Sequence, residues 1–482
     1  MAALTWQART DVLNNMQLTQ DKILYGALLV LCIWLPLPLG SNREWAWAIM
    51  EVWVFILSIL YLIAWKQKKL SFTPAFIAAH KALLLLLCIP AWMWLQTLPL
   101  PSSLLNFLSP LAAQAYSASD LGYLSLDVGA SRTSALKGFS LWLGFALTLL
   151  LVNSQSKLRL LLMCLIGSGV MQSLYGSYML LSGENYGFFY QKLAHLNKAT
   201  GTFVNPNHLA GYLEMTLAVG IGLFLAQLDF HKHKNWQTFL INAISSLLNH
   251  KIALRVLLII MVIGLILTRS RMGNIAFFFS LTLSMSIYIV IMHKWKAGPQ
   301  TSLQSLYLLF GSIILIDLLA MGTLFGVDKV VERVENTQLS SEIRFNVTQS
   351  ALPALKDFTL TGSGAGSFYS IFPSYRSEHI PYYYDHAHND YLQFAIELGI
   401  PATFVLATVI FICIRKNLHT LRYRHSQLLS GTAFASLMSI ISIMIHSTVD
   451  FNLQIPANAF LFMQCLALTW IAGHLPGKQI QS

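Results

Sequence analysis

Two histidines, His386 and His388, stand where a long polar segment meets a run of apolar residues. Histidine can remove a proton from a hydroxyl near neutral pH, so this pair is a candidate general base. Ionisable groups at the edge of such a run are costly to keep there and point to function. If the chain is helical from Asn389 onward, the three polar residues that follow share one helix face. The polar side chains around the two histidines are Asp385, Asn389, Asp390, Gln393 and Glu397.

Arginines occur in two further polar stretches. Arg269 and Arg271 flank Ser270 in a short hairpin, predicted over Leu267–Asn274, and Arg344 lies in the long polar segment. The planar guanidinium binds phosphate through paired, charge-assisted hydrogen bonds. Arginines that converge on one point therefore suit a pyrophosphate leaving group, whereas contact with lipid headgroups is the other reading of the hairpin pair.

Two more polar turns carry candidate residues. The sequence Asn205-Pro206-Asn207-His208 has the form of a helix start, with Asn205 as the N-cap and Pro206 as the first helical residue. The N-terminal end of such a helix can bind an anion, and the alternative is a well-capped membrane helix with an interfacial histidine. Asp450 lies in a short turn, where it either orients a histidine or an arginine from another loop or caps the next helix.

The elements that position these residues are membrane spans. Apolar residues make up 55% of the 482 residues and charged residues 11%, whereas soluble domains have about 25% charged residues. Stretches of ~20 apolar residues are long enough to cross a bilayer, and the sequence has about twelve of them. We therefore predict an all-α integral membrane protein with one membrane domain over 1–482. The predicted spans are 22–39, 45–65, 80–97, 135–152, 158–181, 207–227, 252–268, 273–292, 303–325, 390–413, 428–448 and 454–472.

The charge pattern predicts the orientation of the spans. With a cytoplasmic N-terminus, most of the 31 Lys and Arg residues fall in loops on the cytoplasmic side, where basic residues concentrate. We expect an N-in/C-in topology, which places all of the polar turns on the outer face. The net charge of +11 then reflects topology and contact with membrane lipids, and does not indicate nucleic acid binding.

The long segment 326–388, between the ninth and tenth predicted spans, is expected to be a partly helical outer loop. Apolar spacing predicts a helix over 341–356 that rests on the membrane domain. The glycines of Thr361–Phe368 would let backbone N–H groups approach an anion, or they form a flexible turn. A loop of this length is expected to be a folded lid or a functional segment.

The stretch from His388 matches a family motif of histidine, a polar residue, nine residues and Gly-x-x-Gly. Here the motif is His388-Asn389, nine residues and Gly399, with Ala402 in place of the second glycine. Together with four other stretches, this order resembles the O-antigen ligase superfamily, which also includes Wzy-type polysaccharide polymerases and general O-oligosaccharyltransferases, over roughly 200–455. The other matching stretches are Asn205–His208, Ser270–Arg271, Arg344 with Gly362–Phe368, and Asp450–Asn452.

The resemblance implies a GT-C-like glycosyltransferase of the bacterial inner membrane, with its active site at the periplasmic face and without a nucleotide or metal cofactor. The implied donor is a glycan on undecaprenyl pyrophosphate, and the acceptor is lipid A–core or a growing glycan. His388 would activate the acceptor hydroxyl for inverting attack, while Arg271 and Arg344 would neutralise the departing pyrophosphate. The implied substrate-binding residues are Arg269, Asn389, Asp450, Asn205, Asn207 and His208.

Three alternatives stay open at the level of the sequence. His386 and His388 could instead hold zinc, which needs three protein ligands, with His379 or an acid as the third. A lipid-linked glycan transporter is a second alternative, although transporters usually place polar sites near the membrane midplane. Within the family, an O-antigen ligase, a polymerase and a protein O-oligosaccharyltransferase share the donor chemistry, and we expect ligation to lipid A–core. The sequence assigns no role to the Asp390/Gln393/Glu397 face.

Overall fold

The computed structural model describes residues 20–188, 190–228, 251–296, 311, 345–378, 380 and 383–476. Regular structure in these residues is helical except for one antiparallel pair of two-residue strands. This pair joins β1 (Leu100–Pro101) to β2 (Leu121–Gly122), with Leu100 opposite Gly122. The five cysteines are free thiols.

Seventeen helices follow one another along the described chain. They are α1 (20–34), α2 (Glu44–Lys66), α3 (Pro74–Ala78), α4 (His80–Leu95), α5 (Ser102–Leu108), α6 (Pro110–Ala115), α7 (Val128–Leu151), α8 (Gln155–Ser182), α9 (Pro206–Leu225), α10 (Lys251–Leu267), α11 (Arg271–Ile291), α12 (345–357), α13 (Phe368–Ile371), α14 (Asp390–Leu398), α15 (Ile400–Tyr423), α16 (Gln427–His446) and α17 (Pro456–His474).

Eight of the described helices are long and apolar enough to cross a membrane: α2, α7, α8, α9, α11, α15, α16 and α17. Each coincides with a predicted span. The predicted spans 80–97 and 252–268 correspond to the shorter apolar helices α4 and α10, and 22–39 corresponds to α1. The span predicted at 303–325 lies outside the described residues. The chain is thus a mostly helical, multi-pass membrane protein, while the count of twelve and the N-in/C-in orientation stay predictions.

The span predicted at 390–413 begins ten residues later than expected. Gly399 ends α14 with a positive φ of 82°, and a Cβ there would collide with the Leu360 carbonyl. Pro401 then stands in the first turn of α15. Because only glycine adopts this backbone conformation beside Leu360 without strain, the chain breaks into a short amphipathic helix and a separate span.

Helices α9 and α16 form the centre of the bundle. The most apolar 18-residue stretch of α9 is entirely buried, and this helix packs along α16. A Cβ on Gly222 would collide with the Gly431 carbonyl and lie 2.7 Å from Ala435 Cβ. Small residues allow membrane helices to approach this closely. The pair therefore fixes the frame from which the polar turns at one end project.

A second, smaller core joins α12 to the histidine-bearing segment. Val347 and Ala351 on α12 are fully buried and cluster with Phe368, Phe372 and Ile396. The helix predicted over 341–356 is therefore confirmed for its described part, 345–357, while 326–344 lies outside the described residues. This core fixes α14, and with it the turn that carries His386 and His388, against α12 and the residues that follow it.

Candidate active site

Three histidine rings surround Phe451 at one end of the bundle. The ring centroids of His386, His208 and His388 lie 4.2, 4.7 and 5.0 Å from that of Phe451. His386 stacks on the phenyl ring, whereas the other two meet it edge to face. The histidines come from two segments and Phe451 from a third. Contacts with the phenyl ring therefore bring these three segments together.

The segment before α9 has the predicted helix start. The Asn205 side chain accepts a hydrogen bond from Asn207 N, and Pro206 is the first helical residue. The next residues face Asp450: Asn207 Nδ2 donates to Asp450 Oδ2 at 2.5 Å, and His208 Nε2 lies 3.7 Å from Oδ1. Asp450 therefore binds the start of α9 through Asn207, and its role in orienting a histidine stays a prediction, because 3.7 Å is too long for a hydrogen bond.

His386 is held in a defined orientation by Gln393. The Gln393 amide oxygen accepts from Ala387 N, while its Nε2 donates to Glu397 Oε1 at 3.0 Å and lies 3.0 Å from His386 Nδ1. Gln393 Oε1 lies 3.2 Å from the same ring nitrogen, so both ends of the amide contact His386. Burial lowers the pKa of His386, and the neighbouring His208 acts in the same direction. His386 is therefore neutral at pH 7.

His388 sits on a strained stretch of backbone. Its φ is +50°, a region that few non-glycine residues occupy. The ring meets Tyr384 and Phe451 edge to face, and the side chain is half-buried. Directly after it, Asn389 caps α14 by accepting from Leu392 N, and its Nδ2 donates to the Thr448 carbonyl. Strain of this kind persists where the surroundings enforce it, and it is common at functional sites.

Asp390 ties α14 to the turn that carries Phe451. Its Oδ2 accepts from Ser447 Oγ at 2.8 Å and from Leu453 N at 3.1 Å, and its Oδ1 lies 3.4 Å from Gln454 Nε2. Burial raises the pKa of Asp390 to about 7, against the opposing effect of these donors. The carboxyl thus links two of the segments that meet at Phe451.

The carboxyl group of Glu397 binds the glycine-rich loop. Gly366 N and Phe368 N donate to its two carboxyl oxygens at 2.9 and 3.3 Å. Gly362, Gly364 and Gly366 all have positive φ, a conformation that glycine adopts without strain, and Gly364 N also donates to the Glu397 main-chain carbonyl. From the sequence we expected this loop either to bind an external anion or to form a flexible turn. In the structure its N–H groups instead bind a carboxyl group of the protein itself, that of Glu397. Burial raises the pKa of Glu397 to about 7.

The polar face of α14 therefore has a structural explanation. Asp390 binds the 447–454 turn, Gln393 orients His386, and Glu397 holds the glycine-rich loop. Together these bonds form a continuous network from the loop to the histidine that stacks on Phe451. The sequence showed the spacing of the three residues but not their partners, because the partners come from segments far away in the chain.

The arginine hairpin is shorter than predicted. Arg271 is the first residue of α11 rather than part of a loop, and Ser270 caps the helix by accepting from Gly273 N. The hairpin rests on α9, where a Cβ on Gly273 would lie 2.6 Å from Ala210 Cβ. Ala210 stands two residues after His208, so the hairpin begins at the same end of the bundle as the histidines. Arg271 is exposed and Arg269 half-buried.

Two sequence-predicted residues lie outside the described part of the chain, namely Arg344 and His379. The structure therefore brings together His388, Asn389, Asp450, Asn207 and His208 around Phe451, and leaves the position of Arg344 as a prediction. In the described residues, no group of three or more His, Cys, Asp or Glu side chains is arranged to hold a metal ion. His379, the third histidine of the zinc alternative, is not among them.

A buried glutamate–histidine pair between α9 and α16 could not be recognised from the sequence alone. His446 Nδ1 lies 2.7 Å from Glu214 Oε1, and Ser442 Oγ donates to Oε2 at 2.6 Å. Both side chains are fully buried between α9 and α16. An acid within an apolar run was the available signal, because such residues are rare in spans and face a partner.

Part of the chain matches the model of a known protein family. Residues 256–407 match the family model described as O-Antigen ligase (Wzy_C), about a third of the chain, and this range includes Arg271, His388 and Gly399. None of the curated proteins matches the chain. The match confirms the resemblance first suggested by the motifs for this part of the chain: residues 256–407 are similar to the O-antigen ligase family.

Proposed function

We propose that the chain is a glycosyltransferase that transfers a glycan from undecaprenyl pyrophosphate to an acceptor hydroxyl at the periplasmic face of the bacterial inner membrane. The observation that carries the proposal is the convergence of His388, His208 and Asp450 around Phe451, beside the helix on which the Arg271 hairpin rests. The family match supports a ligase or polymerase type of activity.

The reaction needs one base and one charge-stabilising group. His388 accepts the proton of the acceptor hydroxyl as its oxygen forms a bond to the anomeric carbon. The bond between that carbon and the pyrophosphate oxygen breaks at the same time, and its electron pair leaves with the pyrophosphate. Attack from the face opposite the leaving group inverts the anomeric configuration.

Arg271 and Arg344 are proposed to neutralise the negative charge that develops on the leaving pyrophosphate. Guanidinium groups suit this task because they remain charged and bind phosphate oxygens in pairs. Arg269, Asn205 and Asn207 are the remaining substrate-binding candidates. Asn389 is proposed to position the site, since its side chain already caps α14 and donates to the Thr448 carbonyl.

Replacement of His388 tests the proposal. We expect His388→Ala and His388→Asn to abolish transfer in purified protein supplied with a lipid-linked donor and an acceptor. The asparagine variant matters because asparagine tolerates positive φ better than alanine does, so its failure reports lost chemistry rather than a lost turn. His419→Ala is the matched control, because His419 is exposed near the C-terminal end of α15.

The same assay separates transfer from transport. A transporter needs two compartments, whereas a transferase makes product in detergent solution. Product formed by the wild-type protein and lost in both His388 variants would support the proposal, and full activity of His388→Asn would rule out His388 as the base. We propose O-antigen ligation to lipid A–core as the specific reaction, for which deletion of the gene should leave long glycans on the carrier lipid.

A further inference from the structure

A glutamate and a histidine contact each other inside the helix bundle. Glu214 Oε1 of α9 lies 2.7 Å from His446 Nδ1 of α16, and Ser442 Oγ donates to Glu214 Oε2 at 2.6 Å. Both helices are long and apolar enough to cross a membrane, and both side chains are fully buried. Ionisable residues in such helices are costly and rare, and they point to a function.

Stability alone does not explain why the protein keeps this pair. A buried polar contact recovers little more than the cost of removing its groups from water, and apolar residues of similar size are often equally stable or more stable. His446 Nε2 adds to that cost, because it is buried and makes no hydrogen bond to any of the described residues. The pair is therefore better explained by what it holds in place.

On one side, Glu214 borders the start of α11. A Cβ on Gly273 would lie 3.2 Å from Glu214 Oε1 and 2.6 Å from Ala210 Cβ. Gly273 stands two residues after Arg271, the first residue of α11. The carboxyl group thus lies against the first turn of α11, where free N–H groups suit an oxygen acceptor. A larger side chain at position 273 would push the start of α11 away from Glu214.

On the other side, His446 is the last residue of α16 and leads into the 447–454 turn. The next residue, Ser447, donates to Asp390 Oδ2 at 2.8 Å, and its carbonyl accepts from Asp390 N at 3.0 Å. Asp390 stands two residues after His388 in the chain. The end of α16 therefore holds the backbone that carries the candidate base.

We propose that Glu214 and His446 are positioning residues that fix the distance between Arg271 and His388. This inference rests on the proposed function and deepens it, because it adds two buried residues that act through others. In an inverting transfer, the base and the group that stabilises the leaving pyrophosphate lie on opposite faces of the anomeric carbon. Their separation must be held closely, since a displacement of about 1 Å can lower the rate about a hundredfold.

The test replaces the pair by apolar residues of similar size. In Glu214→Met/His446→Leu we expect an unchanged or higher melting temperature, because both polar groups are removed together. We expect kcat for transfer to fall about tenfold or more, while the KM values for donor and acceptor do not change. Glu214→Gln keeps the shape of the side chain, and it should lower kcat in the same direction if the double variant folds poorly.

Asn417→Leu is the control for a buried polar contact on α16 that lies away from the site. Asn417 is fully buried, and its Nδ2 donates to Ser436 Oγ at 3.0 Å, ten residues before His446. Its kcat should equal that of the wild type, whatever the change in melting temperature. An equal loss of kcat in Asn417→Leu would show that the pair acts only through general packing, and would overturn the inference.

A distance measurement keeps this inference apart from the proposed function. Spin labels on Ile275→Cys of α11 and Val449→Cys of the 447–454 turn, both exposed positions, report the separation of the two sides without substrate. Cys88 and Cys164, the natural cysteines that are not buried, are replaced by serine. We expect a narrow distance distribution in the wild type and a shifted or broader one in the apolar double variant.

The two measurements have separate outcomes. An unchanged distance distribution or an unchanged kcat in the double variant would overturn the positioning role. No product from the wild-type protein, together with a shifted distribution in the double variant, would contradict the transferase while supporting the link between α11 and the turn.

Discussion

Phe451 organises the candidate site at the scale of single residues. Three histidines pack on its ring, and it is itself nearly buried. An aromatic residue within an Asp-Phe-Asn turn gives no sequence signal of this role, because its partners come from 240 residues upstream and from the preceding outer segment. The histidines themselves were predictable, since polar residues at the edge of an apolar run are unusual.

Replacing this ring should affect activity more than stability. We expect Phe451→Leu to lower the rate of transfer about tenfold or more, because three side chains lose the surface that orients them. Phe434→Leu is the control: Phe434 is also buried, but it packs against Tyr288 within the membrane domain. Thermal unfolding and transfer should be measured on both. A parallel loss of activity in the two variants would show that Phe451 acts only through packing.

At the scale of elements, α14 is the piece that joins the site to the scaffold. Its N-terminus presents His388, its polar face binds two turns and a loop, and its C-terminus ends at Gly399. The sequence predicted the helical face but merged α14 with the following span, because hydropathy does not register a single glycine in the left-handed region. The Leu360 carbonyl that forces the break is a tertiary contact.

Glu397 should make the stability of the protein depend on pH. Its pKa of about 7 lies above that of an unfolded carboxyl, so the folded state keeps a proton that the unfolded state has lost. Stability is therefore highest below about pH 4.5 and falls until about pH 7. In detergent, Glu397→Gln should show a smaller drop in melting temperature between pH 5 and 8 than the wild type. The exposed Glu378→Gln should keep the full drop, and an unchanged drop in Glu397→Gln would contradict this role.

The whole molecule is a set of apolar helices that gathers its polar turns at one end. Composition was sufficient to predict the membrane class and the position of most described helices, because a span is a local property of about twenty residues. The meeting of the turns was not predictable in detail, since it depends on how α9, α16 and α17 pack. The buried Glu214–His446 pair shows this limit, because the contact joins residues 232 positions apart and neither one reveals its partner in the sequence.

Labelling from the two sides of the membrane tests the orientation. Ala118, between α6 and β2, and His425, after α15, are both exposed and are predicted to lie on opposite sides. We expect a membrane-impermeant maleimide to label Ala118→Cys in intact cells with permeable outer membranes, and His425→Cys only after lysis. The parent protein, with its five natural cysteines, supplies the background. The reverse pattern would place the histidines in the cytoplasm.

The bond between Asn207 and Asp450 spans 243 positions of the chain. Membrane proteins are made from the N-terminus onward, so Asn207 and His208 are synthesised well before the turn that holds them. Until α16 has emerged, the outer end of α9 lacks Phe451 and Asp450, and His386 and His388 lack their common surface. A growing chain therefore lacks the assembled polar site, and a ribosome that stops before the last turn releases a protein in which the histidines have no Phe451 to pack on.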